Sequence, residues 1–229
     1  MSALHQSLID TVREMNRAGI NQGTAGNASV RLDADRLLIT PSGMPYDTLS
    51  VESLVVLRMD GTHDCPQGHR PSSEWRFHRD LLAARDDLDA VVHTHGIAAS
   101  GLAAHARTLP AFHYMIAVGG GNDIRCADYA TFGTQALSDH VIAAMADRKA
   151  CLLAHHGLVT GGRTLAQALA VAVEVEALCK MYLAALAIGE PPVLSAEQME
   201  AVHRQFGQGI GAGPAFAPYA APDAEAEAR

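Results

Sequence analysis

Apolar residues recur every three or four positions at the start of the chain, at Leu4, Leu8, Val12 and Met15. That is the spacing of one helix face, and Gly19 stands where a left-handed residue can close it. The rhythm then shortens. "ASVRL" (28–32), "RLLIT" (36–40) and "SLVVLRMDG" (53–61) are brief apolar runs separated by "NQGTAGN" and "PSGMP", and the third ends in an Asp-Gly turn. They predict short strands, with a sharp reversal after the last. "PSSEWRFHRDLLAAR" (71–85) sets Pro and Ser ahead of a Leu/Ala run, the mark of a helix start. "LDAVVHTH" (88–95) reads as a strand and "IAASGLAAHA" (97–106) as a short helix. Residues 132–147 predict a helix with Leu137, Val141 and Met145 on one face, and "ACLLAHHG" (150–157) a strand ending in two histidines. A long helix over 164–189 begins at Thr164 and stops at Gly189, and a short one covers 195–206. From Gly209 the chain turns to Ala, Pro, Gly and Glu, a composition that predicts a flexible tail over 209–229. Strands and helices alternate without a strict β-α-β rhythm, so residues 1–208 are expected to form a single mixed α/β/α layered domain.

Composition narrows the functional classes. A formal charge of −8 and the absence of any basic cluster exclude an ordinary nucleic-acid binder. An anionic ligand must therefore be held by local donors. The four cysteines, Cys65, Cys126, Cys151 and Cys179, are scattered with no C-x-x-C pair, which fits reduced thiols in a cytoplasm. The N-terminal segment carries polar and acidic residues at helical spacing, unlike a signal peptide. The most apolar stretch, 165–188, is broken by Gln167, Glu174, Glu176 and Lys180, so no membrane span is expected.

The chemistry gathers at a few stretches. In "AVVHTHG" (90–96), His93 and His95 stand two apart at the end of an apolar run. On a strand such residues share a face, with Cα atoms roughly 6.5–7 Å apart. One more imidazole from "LLAHHGL" would complete a three-nitrogen site of the kind catalytic zinc uses, with a position open for substrate. Strand parity leaves open whether His155 or His156 turns inward, and solvent-facing strand ends are the plainer reading of all these histidines. Glu74 is the carboxylate candidate. If Ser72 or Ser73 caps the helix, Glu74 falls in its first turn, where a negative charge suits the dipole. A Glu74/His78 pair is a weak rival metal arrangement. The turns "GTAGNAS", "TPSG" and "PSSE" expose backbone N–H groups beside Ser and Asn side chains, and can hold a phosphate without lysine. Tyr114 in "FHYMIA" is either a core aromatic with a wet hydroxyl or an acid, and Tyr129 and Phe132 read as packing residues.

Seven stretches in this order, "NQGTAGNASVR", "LITPSGMPYD", "PSSEWRFH", "AVVHTHG", "HYMIAVGGGNDI", "CADYATFGT" and "LLAHHGL", resemble the class II aldolases of the L-fuculose-phosphate aldolase type. The resemblance spans roughly residues 5–206, and "PSSEWRFH" and "YATFGT" are its most specific parts. It implies a largely antiparallel central sheet. It also implies one Zn2+ per chain, with Mn2+ or Co2+ as substitutes, held by His93, His95 and His156 and capped by Glu74 until substrate displaces it. Glu74 would then serve as acid/base. Asn27, Ser42, Gly43, Ser72 and Ser73 would cradle the phosphate of a ketose 1-phosphate, cleaved through an enediolate to dihydroxyacetone phosphate and an aldehyde. Tyr114 would reach the site of a neighbouring subunit in a homotetramer with interfacial active sites. The related ribulose-phosphate 4-epimerases carry Asp in place of Glu74, which favours the aldolase branch; a dehydratase or epimerase acting on a similar sugar phosphate through the same metal is the nearer alternative. Adducin head domains, which resemble the family without its metal set, supply a non-catalytic alternative. In one respect the chain departs from the pattern. Where fuculose-phosphate enzymes have a C-terminal tyrosine over the aldehyde half, "FGQGIGAGPAF" has glycine, and Tyr219 lies only further along.

Overall fold

A computed structural model of the protein describes residues 2–64 and 68–208. The strands are β1 (Asn27–Arg31), β2 (Arg36–Ile39), β3 (Val55–Arg58), β4 (His63–Asp64), β5 (Ala90–Thr94), β6 (Arg125–Ala127), β7 (Ala150–Leu153) and β8 (Gly157–Gly162). They form one sheet in the order β4-β3-β2-β1-β5-β8-β7-β6. Every neighbouring pair is antiparallel except β6 and β7. The helices are α1 (Ser2–Arg17), α2 (Trp75–Ala84), α3 (Ile97–Ala103), α4 (Gln135–Ala144), α5 (Leu165–Leu186) and α6 (Ala196–Gly207), with a 3-10 stretch at Tyr114–Gly119. Helix α4 is the crossover that makes β6 and β7 parallel.

Successive strand residues point to opposite faces, and here both faces are covered. Ala28, Val30, Leu38, Val92, Leu152 and Leu158 join α1, α3 and α5 in one core. Leu37, Ile39, Val55, Leu57, Val91, Leu153 and Val159 join α2 and α4 in the other. Strands buried on both sides read as continuous apolar runs rather than alternations, which is why "AVV" and "ACLL" carry no polar partner residues. This is the expected α/β/α layering around a largely antiparallel sheet.

The local signals act where they were read. Gly19 has φ +69° after α1. Thr164 Oγ1 accepts from Gln167 N at the head of α5, and Ser195 with Gln198 forms a reciprocal cap on α6. The Asp60-Gly61 turn joins β3 to β4. Strands β4, β6 and β8 were not foreseen from the pattern. The first two are very short, and β8 ("GLVTGG") is half glycine, a residue depleted in strands. Among the described residues no helix is long and apolar enough to cross a membrane, and Cys126, Cys151 and Cys179 are free thiols. The tail at 209–229, Tyr219 and Cys65 lie outside the described residues.

Candidate metal centre and active site

Strand β5 delivers His93 with its side chain fully buried, and His95 follows one residue beyond the strand end on the same side. The third imidazole comes from the reversal between β7 and β8. There His155 adopts φ +57°, a left-handed conformation that breaks strand geometry, so the chain turns and His156 points inward. His155 stays exposed, edge-on to Tyr129. The rings of His93, His95 and His156 stand mutually edge-to-face with centroids 4.8 Å apart. One nitrogen from each falls within 4.8 Å of the others, an arrangement able to hold a metal ion.

The glycines after the two histidine stretches are required by close approach. A Cβ on Gly157 would stand 2.4 Å from the Thr94 carbonyl oxygen, and one on Gly96 would stand 2.2 Å from Glu176 Oε2. Glu176, buried on α5, accepts from the backbone N–H groups of Ala98 and Ala99 at the start of α3. It thus fixes the segment directly after His95. Nothing in the periodicity of "AVEVEALCK" marks this residue.

Glu74 is the N-terminal boundary residue of α2 but makes no side-chain capping bond. The serine bond lies just ahead of the helix: Ser72 Oγ accepts from Glu74 N, and the Ser72 carbonyl accepts from Trp75 N. The Glu74 carboxylate instead turns to the histidines. Its Oε2 lies 3.2 Å from His93 Nε2 and its Oε1 3.2 Å from His156 Nε2. Asn27 Nδ2 donates to Oε2 at 2.9 Å, whereas the buried Oε1 completes no hydrogen bond. Burial works to raise the Glu74 carboxyl pKa, but the adjoining His93 and His156 imidazoles and the Asn27 amide outweigh it. The group is held well below the usual carboxylate range. His95 and His156 are each pushed down to about 4, first by burial and then by their neighbouring imidazoles. They are neutral at pH 7, the form in which imidazole ligates a metal.

These atoms fit a divalent cation. His93 Nδ1 donates to the Leu158 carbonyl at 3.0 Å, which fixes the tautomer and leaves the Nε2 lone pair facing inward. His95 Nε2 stands only 2.9 Å from that atom. A buried carboxylate oxygen without a donor, beside converging imidazole nitrogens, is the environment of a metal ligand. The Glu74/His78 arrangement is not formed. His78 bonds Ser29 Oγ through Nδ1 at 2.8 Å and Asn27 Oδ1 through Nε2 at 2.5 Å. Burial pushes its pKa down to about 3.

The phosphate-cradle candidates lie on segments laced together beside Glu74. Ser42 N donates to the Arg70 carbonyl and Ser72 N to the Thr40 carbonyl, and Pro41 bridges Pro71. This brings Ser42 and Gly43 alongside Ser72 and Ser73; Ser42, Gly43 and Ser73 are exposed and Ser72 is buried. Asn27 is buried, with its carbonyl held by His78 and one N–H by Glu74. A cavity of about 320 Å³ opens over the histidines, lined by Ala25, Ser73, Glu74, Tyr129, Phe132 and His156 among others. The packing role read for Tyr129 and Phe132 is not what the structure shows: they are 60% and 63% exposed at the mouth of this cavity. Tyr114 is no core residue either, being 46% exposed, and it does not line the cavity of its own chain.

Residues 6–183 match the model of the class II aldolase and adducin N-terminal domain family. The chain belongs to that family. It is 52% identical over 204 residues to the 5-methylthioribulose-1-phosphate/5-deoxyribulose-1-phosphate aldolase of Rhodospirillum rubrum, covering 89% of this chain and 91% of the relative. It is 50% identical over 204 residues to the L-fuculose phosphate aldolase of Escherichia coli K12, covering 89% and 94%. A solved L-fuculose 1-phosphate aldolase superposes with a TM-score of 0.86 at 39% identity, covering 90% of this chain and 97% of that one. This class II aldolase is an enzyme, a lyase.

Proposed function

We propose that this class II aldolase holds one Zn2+ between His93, His95 and His156 and reversibly cleaves a ketose 1-phosphate to dihydroxyacetone phosphate and an aldehyde. The observation that carries the reading is the Glu74 carboxylate seated against His93 and His156 with a buried oxygen lacking any donor. That is the posture of a displaceable fourth ligand. A divalent ion bound there supplies Lewis-acid stabilisation of the negative charge that builds on the ketone half as the C3–C4 bond breaks. The remaining work falls to the chain. Ser42, Gly43, Ser72, Ser73 and Asn27 bind the phosphate through neutral donors, in keeping with the acidic charge of the whole protein. The proton of the C4 hydroxyl passes through the Tyr114 hydroxyl to the Glu74 carboxylate, freed from the histidines, as the aldehyde leaves, and Glu74 then returns it to C3 of the ketone half, so no net proton is consumed. Each positioned transfer contributes roughly 10²–10⁴-fold. Tyr114 is exposed and absent from its own chain's cavity, which supports a homotetramer in which it serves a neighbour's site. The free thiols fit a cytoplasmic enzyme.

The named relatives point to L-fuculose 1-phosphate and to 5-deoxy- and 5-methylthio-ribulose 1-phosphates as substrates. Glycine in place of the C-terminal tyrosine favours the less hydroxylated aldehydes, and so a role in nucleoside salvage. The test is kcat/KM across the three phosphates and an unphosphorylated ketose. All three phosphates should be cleaved within about two orders of magnitude of one another, because apolar discrimination is worth only ~1–3 kcal/mol per methylene. The unphosphorylated sugar should fail, since it leaves the cradle donors unpaired. Cleavage of L-fuculose 1-phosphate alone, with the others down by about four orders of magnitude, would require a fixed polar contact to the aldehyde half and would overturn the salvage reading.

A further inference from the structure

Behind Glu74 runs a chain of four buried polar side chains from two elements: Ser29 and Asn27 on β1, and His78 on α2 with Glu74 at its head. Its hydrogen bonds can point only one way. A carboxylate accepts and never donates, so the Asn27 atom 2.9 Å from Glu74 Oε2 must be the amide nitrogen. The amide oxygen therefore faces His78 Nε2 at 2.5 Å, and that nitrogen must carry the proton. A neutral imidazole has one N–H, so His78 Nδ1 is an acceptor and Ser29 Oγ donates to it at 2.8 Å. Every link donates towards the carboxylate.

We propose that His78 and Ser29 are positioning residues that lock the Asn27 amide with its nitrogen outward, towards Glu74 and the phosphate cradle. A flipped amide would set its oxygen against the Glu74 carboxylate and, on the proposed function, against the substrate phosphate as well. Asn27 has two N–H groups; one is held by Glu74, and the orientation that serves Glu74 leaves the other for a second anion. The ordered relay thus makes one side chain serve both the acid/base and the cradle. Ser29 and His78 are fully buried and His78 does not line the cavity, so neither needs to touch substrate for the effect.

Two-bond 1H–15N spectra of histidine-labelled, metal-loaded protein should show His78 as the Nε2–H tautomer. Kinetics should show His78→Phe, folded and metal-loaded, losing about 10–100-fold in kcat, the usual effect of removing a supporting hydrogen bond behind a metal-site ligand. His78→Gln, whose amide can place an N–H where Nε2 stands, should recover most of that loss. An Nδ1–H tautomer would overturn the proposal. So would kcat within twofold of wild type in His78→Phe, or equal impairment in both variants at equal thermal stability. Should His78→Phe not fold, the tautomer decides alone. The spectrum needs no turnover, so wild type that fails to cleave any ketose 1-phosphate would overturn the functional reading and leave the relay to be judged separately.

Discussion

At the scale of single residues, the decisive contrast is between a carboxylate that serves a helix and one that serves chemistry. Glu74 stands at the head of α2, where either role is available, yet it makes no capping bond and lies 3.2 Å from two imidazole nitrogens. A charge that only suits the helix dipole is worth ~0.3–1 kcal/mol of stability and nothing in turnover. Glu74→Gln is therefore expected to fold and retain much of its metal while losing about 10²–10⁴-fold in kcat. Near-normal cleavage at reduced thermal stability would return the residue to the helix. The same scale explains what single-residue reading missed. Tyr129 and Phe132 precede a helix in an apolar context, and nothing in "YATFGT" says that the turn faces a cavity rather than the core.

At the scale of elements, much of the site was legible because it sits where strands end. His93 and His95 share a face by strand parity, and the apolar run before them predicts the strand that carries them. Which histidine of the β7–β8 reversal turns inward was not assignable by parity. His155 takes a left-handed φ of +57°, and a positive φ on a residue other than glycine leaves no mark in hydrophobic spacing. It was the family resemblance that singled out His156. The relay through Asn27 and His78 was equally invisible, since it links β1 to α2 across 51 residues. Element packing also gives a prediction. Gly96 separates His95 from α3, and a Cβ there would stand 2.2 Å from Glu176 Oε2. Gly96→Ala must displace either Glu176 or the segment carrying His95, at a cost of ~1–3 kcal/mol typical of overpacking. Lower unfolding temperature and weaker metal binding are expected together, by calorimetry and metal titration. An unchanged value of both would show that the helix α3 cap does not hold the ligand segment.

At the scale of the whole molecule, the sheet covered by helices on both faces is a rigid frame, and the chemistry is placed where β5 ends and where β7 turns into β8. An acidic protein binding a phosphate through neutral donors reconciles the −8 charge with the proposed substrate. Assembly enters because Tyr114 is exposed and does not reach its own chain's cavity. Mixing inactive Tyr114→Phe with inactive Glu74→Gln subunits is expected to restore part of the activity through sites built from one intact residue of each. A fully active monomer in sedimentation would remove the need for a neighbour. The central claim, that the histidine triad with Glu74 is a metal-dependent aldolase centre, is tested most directly by the release of dihydroxyacetone phosphate from a ketose 1-phosphate, measured with metal content on the same samples. Wild type should release it with one divalent ion per chain, and should stop when a chelator removes the ion and resume when Zn2+ is restored. His93→Ala should neither hold the ion nor turn over. Undiminished release from metal-free protein, or full metal occupancy in His93→Ala, would contradict the account.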